Sequence, residues 1–364
     1  MILNWEEYEI AFREKNSELN RFSQSELENK LRYAKKIYEN RATVIYDAKH
    51  LAELVGVKYF EVYKIANSNS RFFYKEFLLQ KKNGGERKIK APLPTLNIIQ
   101  KWIFENILAN LKCSVYCKSY QKNLSLKDNA KFHRRQPILM KLDISSFFDN
   151  ISWGLIYNIF KNLGYSVEVS TLITKLVMYT ENGKVKGIPQ GAITSPMLSN
   201  LVLKKFDENI GYYCVNNKIR YTRYADDLTF SGNFDTYKLK AFVNKELHKN
   251  GFFLNNRKTK ILKSNDRQVV TGIVVNEKMQ VSRKYRKNLR LEIYHLLFRT
   301  QQHFEYKKLK NYDEKSMYLK TIIGKVNFVL QVNSSDKEFK TYKKEIYKII
   351  DSINNSELNK NNWN

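Results

Sequence analysis

Three aspartates carry the most chemical information in this chain. Asp143 ends the apolar run Ile138-Leu139-Met140-Lys141-Leu142, and the pair Asp226-Asp227 lies between the strand-like stretches YTRYA and LTFSG. Phosphoryl transfer from a nucleoside triphosphate uses two divalent ions about 3.5–4 Å apart, one at the attacking oxygen and one at the leaving pyrophosphate. Mg²⁺ is a hard ion that selects carboxylate oxygens and keeps water and substrate-phosphate ligands, so two or three aspartates suffice to seat it. Two adjacent carboxylates in a hairpin turn between apolar strands repel each other and resist desolvation unless cations are bound. Standing alone, such a dipeptide reads as a solvated turn.

The elements that must position these acids follow from periodicity and turn signals. Ser23-x-x-Glu26 is a capping box opening a helix with Leu27, Leu31, Ala34 and Tyr38 on one face. Residues 47–66, broken at Gly56, imitate a helix-turn-helix, but a plain helical region is the preferred reading. From Phe72 two strands flank Asn83-Gly84-Gly85, with Pro92 ending the second, and helical spacing returns over about 96–111. PILMKLDISSFF reads as a strand, WGLIYNIFKNLG as a helix, and GAITSPMLSNLVLKKFDENIGYY as one further helix. KIRYTRYADDLTFSG is a hairpin, TYKLKAFVNKELHKN a helix closed by Gly251, VVTGIVVN a short strand, and the tail beyond about 283 helical and basic. The order is a helical cap, a mixed α+β body and a helical end.

Composition narrows the partners. The chain has 364 residues, 43% of them hydrophobic, with scarce Gly and Pro, which excludes overall disorder. A formal charge of +28 favours a polyanion, nucleic acid ahead of a membrane surface. The N-terminal stretch has no continuous apolar region, and nothing approaches the roughly 20 apolar residues of a spanning helix, so a soluble, cytoplasmic protein is expected. Cys113, Cys117 and Cys214 form neither a disulfide framework nor a zinc site and read as buried thiols. The five histidines show no metal-binding grouping, so any metal must be held by carboxylates.

Read together, Tyr224-Ala225-Asp226-Asp227, Asp143-Ile144-Ser145-Ser146-Phe147-Phe148 and Pro189-Gln190-Gly191-Ala192-Ile193-Thr194-Ser195-Pro196 resemble the palm of reverse transcriptases, in that family's order. The resemblance runs from about Phe72 to about Tyr294. It implies a right-hand polymerase with fingers, palm and helical thumb, using Mg²⁺ (two carboxylate-bound ions) and deoxynucleoside triphosphates. It implies metal binding by Asp143, Ile144, Asp226 and Asp227, with Asp227 the lesser direct ligand. Phe148 falls at the aromatic gate that excludes a 2′-OH; Gln190 and Gly191 fall beside the incoming nucleotide. Arg87, with Lys81 or Lys82, matches the grip on the triphosphate, where an Arg fork suits phosphate oxygens. Gly251-Phe252-Phe253-Leu254-Asn255-x-x-Lys258-Thr259 resembles the next family motif, making Lys258 either the acid that protonates the leaving pyrophosphate or a structural lysine.

Asn129-Ala130-Lys131-Phe132-His133 fits an NAxxH pattern and Val270-Thr271-Gly272 a VTG pattern, which mark bacterial retron reverse transcriptases. Both are expected RNA-binding elements. Ile193 and Thr194 depart from the Pro and Ser of many relatives, which bears on subtype and not on polymerase activity. The retron resemblance implies copying part of a cognate structured noncoding RNA from an internal 2′-OH primer. The product is a branched RNA–DNA hybrid (msDNA), commonly acting with an effector protein in anti-phage defence. Holding one 2′-OH at the metals is catalysis by positioning.

The run Lys278, Arg283, Lys284, Arg286, Lys287 and Arg290, interleaved with Tyr285 and free of acids, suits RNA contact. Neutralising six to ten phosphates would lower affinity roughly 10³–10⁵-fold between 50 and 200 mM salt. The expected organisation is a helical N-terminal region over 1–70, fingers and the start of the palm over 71–142, palm over 143–275 and an RNA-binding thumb over 276–364. The first 45 or so residues carry no assignable motif and could engage a partner. The rivals are a group II intron-like, diversity-generating or phage-exclusion reverse transcriptase, and a non-catalytic RNA-binding scaffold. Three acids on a basic background disfavour the scaffold.

Overall fold

The computed structural model describes residues 4–80 and 84–361. Four helices lead: α1 (Trp5–Leu19), α2 (Gln24–Glu39), α3 (Ala48–Val55) and α4 (Tyr59–Asn67). The capping box at Ser23 forms, and Leu27, Leu31, Ala34 and Ile37 of α2 are buried, while Tyr38 is only half-buried. Strands β1 (Tyr74–Gln80) and β2 (Glu86–Pro92) pair antiparallel from Tyr74 opposite Pro92 to Gln80 opposite Glu86. Helix α5 (Pro94–Asn106) starts on Pro94, whose missing N–H costs nothing in a first turn, and a short 3₁₀ turn over Leu108–Asn110 follows in place of the continuous helix expected to 111.

After α6 (Leu126–Lys131) comes β3 (Ile138–Asp143), then α7 (Trp153–Asn162), α8 (Val167–Val177) and the two-residue strands β4 (Thr180–Glu181) and β5 (Lys184–Val185). The helix expected across 191–213 is two, α9 (Ser195–Val202) and α10 (Lys204–Asn216), and it starts only at Ser195, with Pro196 in the first turn. Strands β6 (Arg220–Tyr224) and β7 (Asp227–Gly232), helix α11 (Thr236–His248) and strand β8 (Lys260–Lys263) complete the body. The central sheet has the order β6-β7-β3-β8, antiparallel throughout. β3, in the middle, is nearly continuous in buried apolar residues, as a strand covered on both faces must be. It ends at Asp143; the residues to Phe148 turn away from the sheet.

The segment expected as one strand, VVTGIVVN, is a tight hairpin. β9 (Val269–Val270) and β10 (Ile273–Val274) flank Thr271 and Gly272, both at positive φ, and β11 (Gln280–Val281) adds a third strand. Helices α12 (Arg283–Phe298), α13 (Thr300–Tyr306), α14 (Tyr312–Val332) and α15 (Lys337–Asn361) end the described chain. One core joins α2–α5 to the central sheet and α7–α11; a second joins β9–β11 to the last helices and takes in Ala130 and Leu139. Among the described residues no helix is long and apolar enough to cross a membrane.

Candidate active site

The sheet register brings the acids together. Asp143 is the direct cross-strand partner of Asp227, and Tyr224 of Asp227 on the other side, which leaves Ala225 and Asp226 as a two-residue turn. Ala225 takes φ 56°, a conformation usually left to glycine. The strain is held by its neighbours: the amide of Ala225 donates to Ser119 Oγ at 2.9 Å, and its carbonyl accepts from Arg223 Nη1 at 3.1 Å. Arg223 is fully buried and paired with the equally buried Asp207 of α10 at 2.7 Å, and Asp207 also accepts from Tyr221 at 2.8 Å. Burial alone would lower the Arg223 pKa, but Asp207 more than offsets it and keeps the guanidinium charged. Asn200 completes the cluster, accepting from the Cys117 thiol at 3.0 Å and donating to the Ser119 carbonyl at 2.9 Å. The sequence reading missed this support, because Arg223 sits in the polar-looking strand Arg-Tyr-Thr-Arg-Tyr and its partner Asp207 lies in the preceding helix.

Asp143 is almost fully buried; Asp226 and Asp227 are half-buried. Burial raises the pKa of Asp226, and the charges of Asp227 and Asp143 push it further up. Burial also raises that of Asp227, with Lys141 and Lys258 partly opposing. Lys258 lies in a 3₁₀ turn over Asn256–Lys258, placed by the amide of Asn255 donating to the Asp143 carbonyl at 2.7 Å. Its ammonium donates to Asp143 Oδ1 at 2.8 Å, which raises the lysine pKa. Ile144 donates its amide to the Asp226 carbonyl at 3.0 Å, and its side chain is buried, so only its own carbonyl could serve a cation.

Two lysines, of which only Lys258 is hydrogen-bonded to an acid, face three crowded carboxylates, which leaves negative charge for a divalent ion to balance, so the donor set fits the metal implied by the sequence. Among the described residues no three His, Cys, Asp or Glu side chains enclose an ion on their own. A hard ion that keeps water and phosphate ligands needs no such enclosure.

Phe148 is half-buried, edge-on to Phe147 with centroids 5.7 Å apart, and Phe147 packs in turn on Phe252 at 5.3 Å. Gly187, at φ 76°, crosses so close behind that an added Cβ would lie 2.1 Å from the Phe148 carbonyl oxygen. Gly191 also permits a close approach, but to protein: a Cβ there would lie 2.8 Å from Ile89 and 2.9 Å from the Lys90 carbonyl. The Gln190 carbonyl accepts from the Lys90 amide at 2.7 Å, so Gln190 and Gly191 fasten the β1–β2 hairpin to the body. Arg87 is exposed on that hairpin and close enough to the Tyr120 phenol to favour its ionisation, which Asp226 opposes. Lys81 and Lys82 lie outside the described residues.

The retron-type patterns fall elsewhere than expected. Asn129, His133 and Val270 are buried and offer no surface. Instead His133 bridges Ser231 and Thr222 at 2.7 Å each, and Thr222 donates to Asn129 at 2.6 Å. Asn129 also reaches Thr271 at 3.5 Å, so the network buttons α6 and the β9–β10 turn onto the central sheet. Only Thr271, half-buried, and Gly272, exposed, present surface. Burial pushes the His133 pKa down to about 3, with Arg220 and Lys141 adding to the effect.

The basic run is also altered by folding. Arg283, Lys284, Arg286, Lys287 and Arg290 line a cleft of about 650 Å³ together with an acid, Asp336, which directly precedes α15. Arg286 pairs with Asp336 and, at 3.1 Å, with Glu338, and Arg290 pairs with Glu338 at 2.5 Å. Tyr285, half-buried, packs edge-on against Phe328, 5.9 Å away, at the margin of the second core. Arg283, Lys284 and Lys287 stay exposed.

Comparison with known proteins agrees with this geometry. The family model described as "Reverse transcriptase (RNA-dependent DNA polymerase)" matches residues 79–306. The retron Ec86 reverse transcriptase of Escherichia coli is 30% identical over 296 residues, covering 79% of this chain and 85% of that protein. The retron Mx65 reverse transcriptase of Myxococcus xanthus is 30% identical over 232 residues, covering 60% of this chain and 54% of that one. The retron Ec83 reverse transcriptase of Escherichia coli is 33% identical over 165 residues, covering 44% and 53%. Reverse transcriptases generally work with divalent metal ions, RNA templates and deoxynucleoside triphosphates. An aspartate pair in a strained hairpin turn, opposite a third aspartate on the central strand, is thus accounted for: the chain belongs to the reverse transcriptases, RNA-directed DNA polymerases, and among them to the bacterial retron type.

Proposed function

We propose that this reverse transcriptase copies part of a cognate structured noncoding RNA, starting from a 2′-OH within that RNA, and so makes a branched RNA–DNA hybrid. We assign it to the bacterial cytoplasm and to anti-phage defence with an effector protein. The observation that carries the catalytic part is the register that sets Asp143 opposite Asp227 with Asp226 in the adjoining turn. In this reading Asp143, Asp226, Asp227 and the Ile144 carbonyl hold two Mg²⁺ ions. Bound there, the ions supply charge neutralisation at the attacking oxygen and the leaving pyrophosphate.

The remaining roles belong to the protein's own groups. Lys258 holds a proton at Nζ beside Asp143, available to the departing pyrophosphate. Phe148 stands under the sugar and excludes a 2′-OH. Arg87 reaches the triphosphate from the hairpin that Gln190 and Gly191 anchor. We take residues 1–70 as the helical N-terminal region, 71–142 as fingers with the start of the palm, 143–275 as palm and 276–364 as thumb. Arg283, Lys284 and Lys287 are the thumb groups left to fix RNA phosphates, with Arg286 and Arg290 shaping the same cleft. Sequencing the nucleic acid that co-purifies from the native host tests the whole reading. A single RNA species joined through a 2′-linkage to DNA is expected; unbranched DNA, or no DNA, would refute the priming mode.

A further inference from the structure

A second cleft, of about 700 Å³, opens in the helical N-terminal region between α1, α2 and the segment from Arg41 to Leu54. This is the size of a small-ligand site. None of its lining residues belongs to the central sheet. Trp5, Tyr8 and Phe12 of α1 form one wall, and Phe22, Tyr38 and Tyr46 face them, all half-buried. Phe12 and Phe22 lie nearly parallel, 6° apart with centroids at 6.4 Å, and Tyr46 is stacked on His50 at 5.4 Å. No residue of α1 is fully buried, so this helix is held chiefly by a layer of rings that leaves a cavity.

The rim is basic. Lys15, Arg21, Lys30, Arg41 and Lys49 line the cleft against Asp47 and Glu53, and among the described residues none of the five is within ion-pair distance of a carboxylate. Asp47 is already committed to capping α3, where it accepts from the His50 amide at 2.8 Å. The Lys30 ammonium lies 4.6 Å from the Phe22 centroid and 4.9 Å from that of Tyr46, so positive charge reaches down among the rings. Flat apolar faces fit an aromatic base, and unpaired cations beside them fit its phosphate. An apolar peptide would leave the cations unanswered, and an acidic one would leave the rings unused.

We propose that this cleft binds one unpaired nucleotide, its base against Trp5, Phe22 and Tyr46 and its phosphate among Arg21, Lys30 and Lys49. Either a free nucleotide or one residue of a bound single strand supplies that chemistry. The inference stands apart from the priming mechanism above.

The test is photocrosslinking of the full-length protein with 8-azido-ATP and, separately, with a single-stranded RNA ten-mer containing 4-thiouridine, followed by peptide mapping. Label is expected in the Trp5–Phe22 or Tyr38–Leu54 segments. Label from both probes assigns a free-nucleotide site; label from the ten-mer alone assigns a strand site. Arg21→Glu/Lys49→Glu changes two exposed side chains and should cut labelling about tenfold or more, while Arg21→Lys retains it. Phe22→Ala should cut it roughly 5–100-fold through lost stacking. Failure of both probes to label these segments, or labelling that charge reversal leaves unchanged in a protein of wild-type melting temperature, would overturn the site.

Discussion

The ammonium of Lys258 donates to Oδ1 of Asp143 at 2.8 Å, across the end of the central sheet. Its charge also acts on Asp226 and Asp227, and the hydrogen bond to Asp143 raises its own pKa, keeping it protonated through neutral pH.

Replacing this lysine separates a chemical from a structural role. Lys258→Met should slow single-nucleotide incorporation about 10²-fold or more while RNA affinity is retained. Lys258→Arg should restore the cation and part of the rate. Rapid-quench incorporation rates equal to wild type would leave Lys258 structural only.

Asp226→Asn and Asp227→Asn should each abolish DNA synthesis and leave RNA binding largely intact. Because burial and neighbouring charge disfavour ionisation of both, the neutral variants should melt at or above the wild-type temperature. Primer-extension assays beside filter binding decide the matter, and equal loss of both functions would contradict the assigned roles.

Phe148→Ala should admit ribonucleotides more readily. The ring is half-buried against Phe147, so a stability loss of about 1–3 kcal/mol is expected as well. Competition between deoxy- and ribonucleoside triphosphates is the measurement, and an unchanged preference removes Phe148 as the gate.

The ion pair beneath the catalytic turn should be the costliest to break. Arg223→Met or Asp207→Leu strands a buried charge, a loss of about 3–5 kcal/mol, whereas the double variant should recover a large part of it. Urea midpoints for the two singles and the double close the cycle; additive losses would show the pair to be uncoupled.

His133 makes stability depend on pH. Its folded pKa is about 3, against an ordinary value near 6.5 in the unfolded chain. Between those values the unfolded chain binds a proton that the folded one refuses, so stability is intact above about pH 6.5 and falls as pH drops. The slope from this residue approaches about 1.4 kcal/mol per pH unit. His133→Gln should flatten the urea-midpoint profile between pH 6.5 and 4.5; an unaltered slope would place the titrating group elsewhere.

The three clustered acids were legible because each sits in a local pattern, an apolar strand ending in Asp143 and a hairpin carrying Asp226-Asp227 at its turn. The β1–β2 hairpin was legible from its glycines. What escaped depends on partners distant along the chain. Nothing near Arg286 or Arg290 announces Asp336 and Glu338, and nothing near Asn129 announces Thr222. The burial of Asn129, His133 and Val270, and the hydrogen bonds by which Asn129 and His133 brace α6 on the sheet, could not be read from their own motifs. The close packing of Gly191 on Ile89 and Lys90 of β2 was likewise invisible in its own motif.

The pairing of β3 with strands much later in the chain has a consequence for synthesis. β3 pairs with β7 and β8, so during translation Asp143 emerges on a strand with both edges open, which gains β7 once Gly232 is made and β8 only after Lys263. Until then the strand is a template for wrong pairing, and long-range pairing of this kind is slow. Enzymatic competence thus arrives late: a chain terminated before Asn255 carries all three aspartates yet lacks Lys258 and the turn that brings it to them.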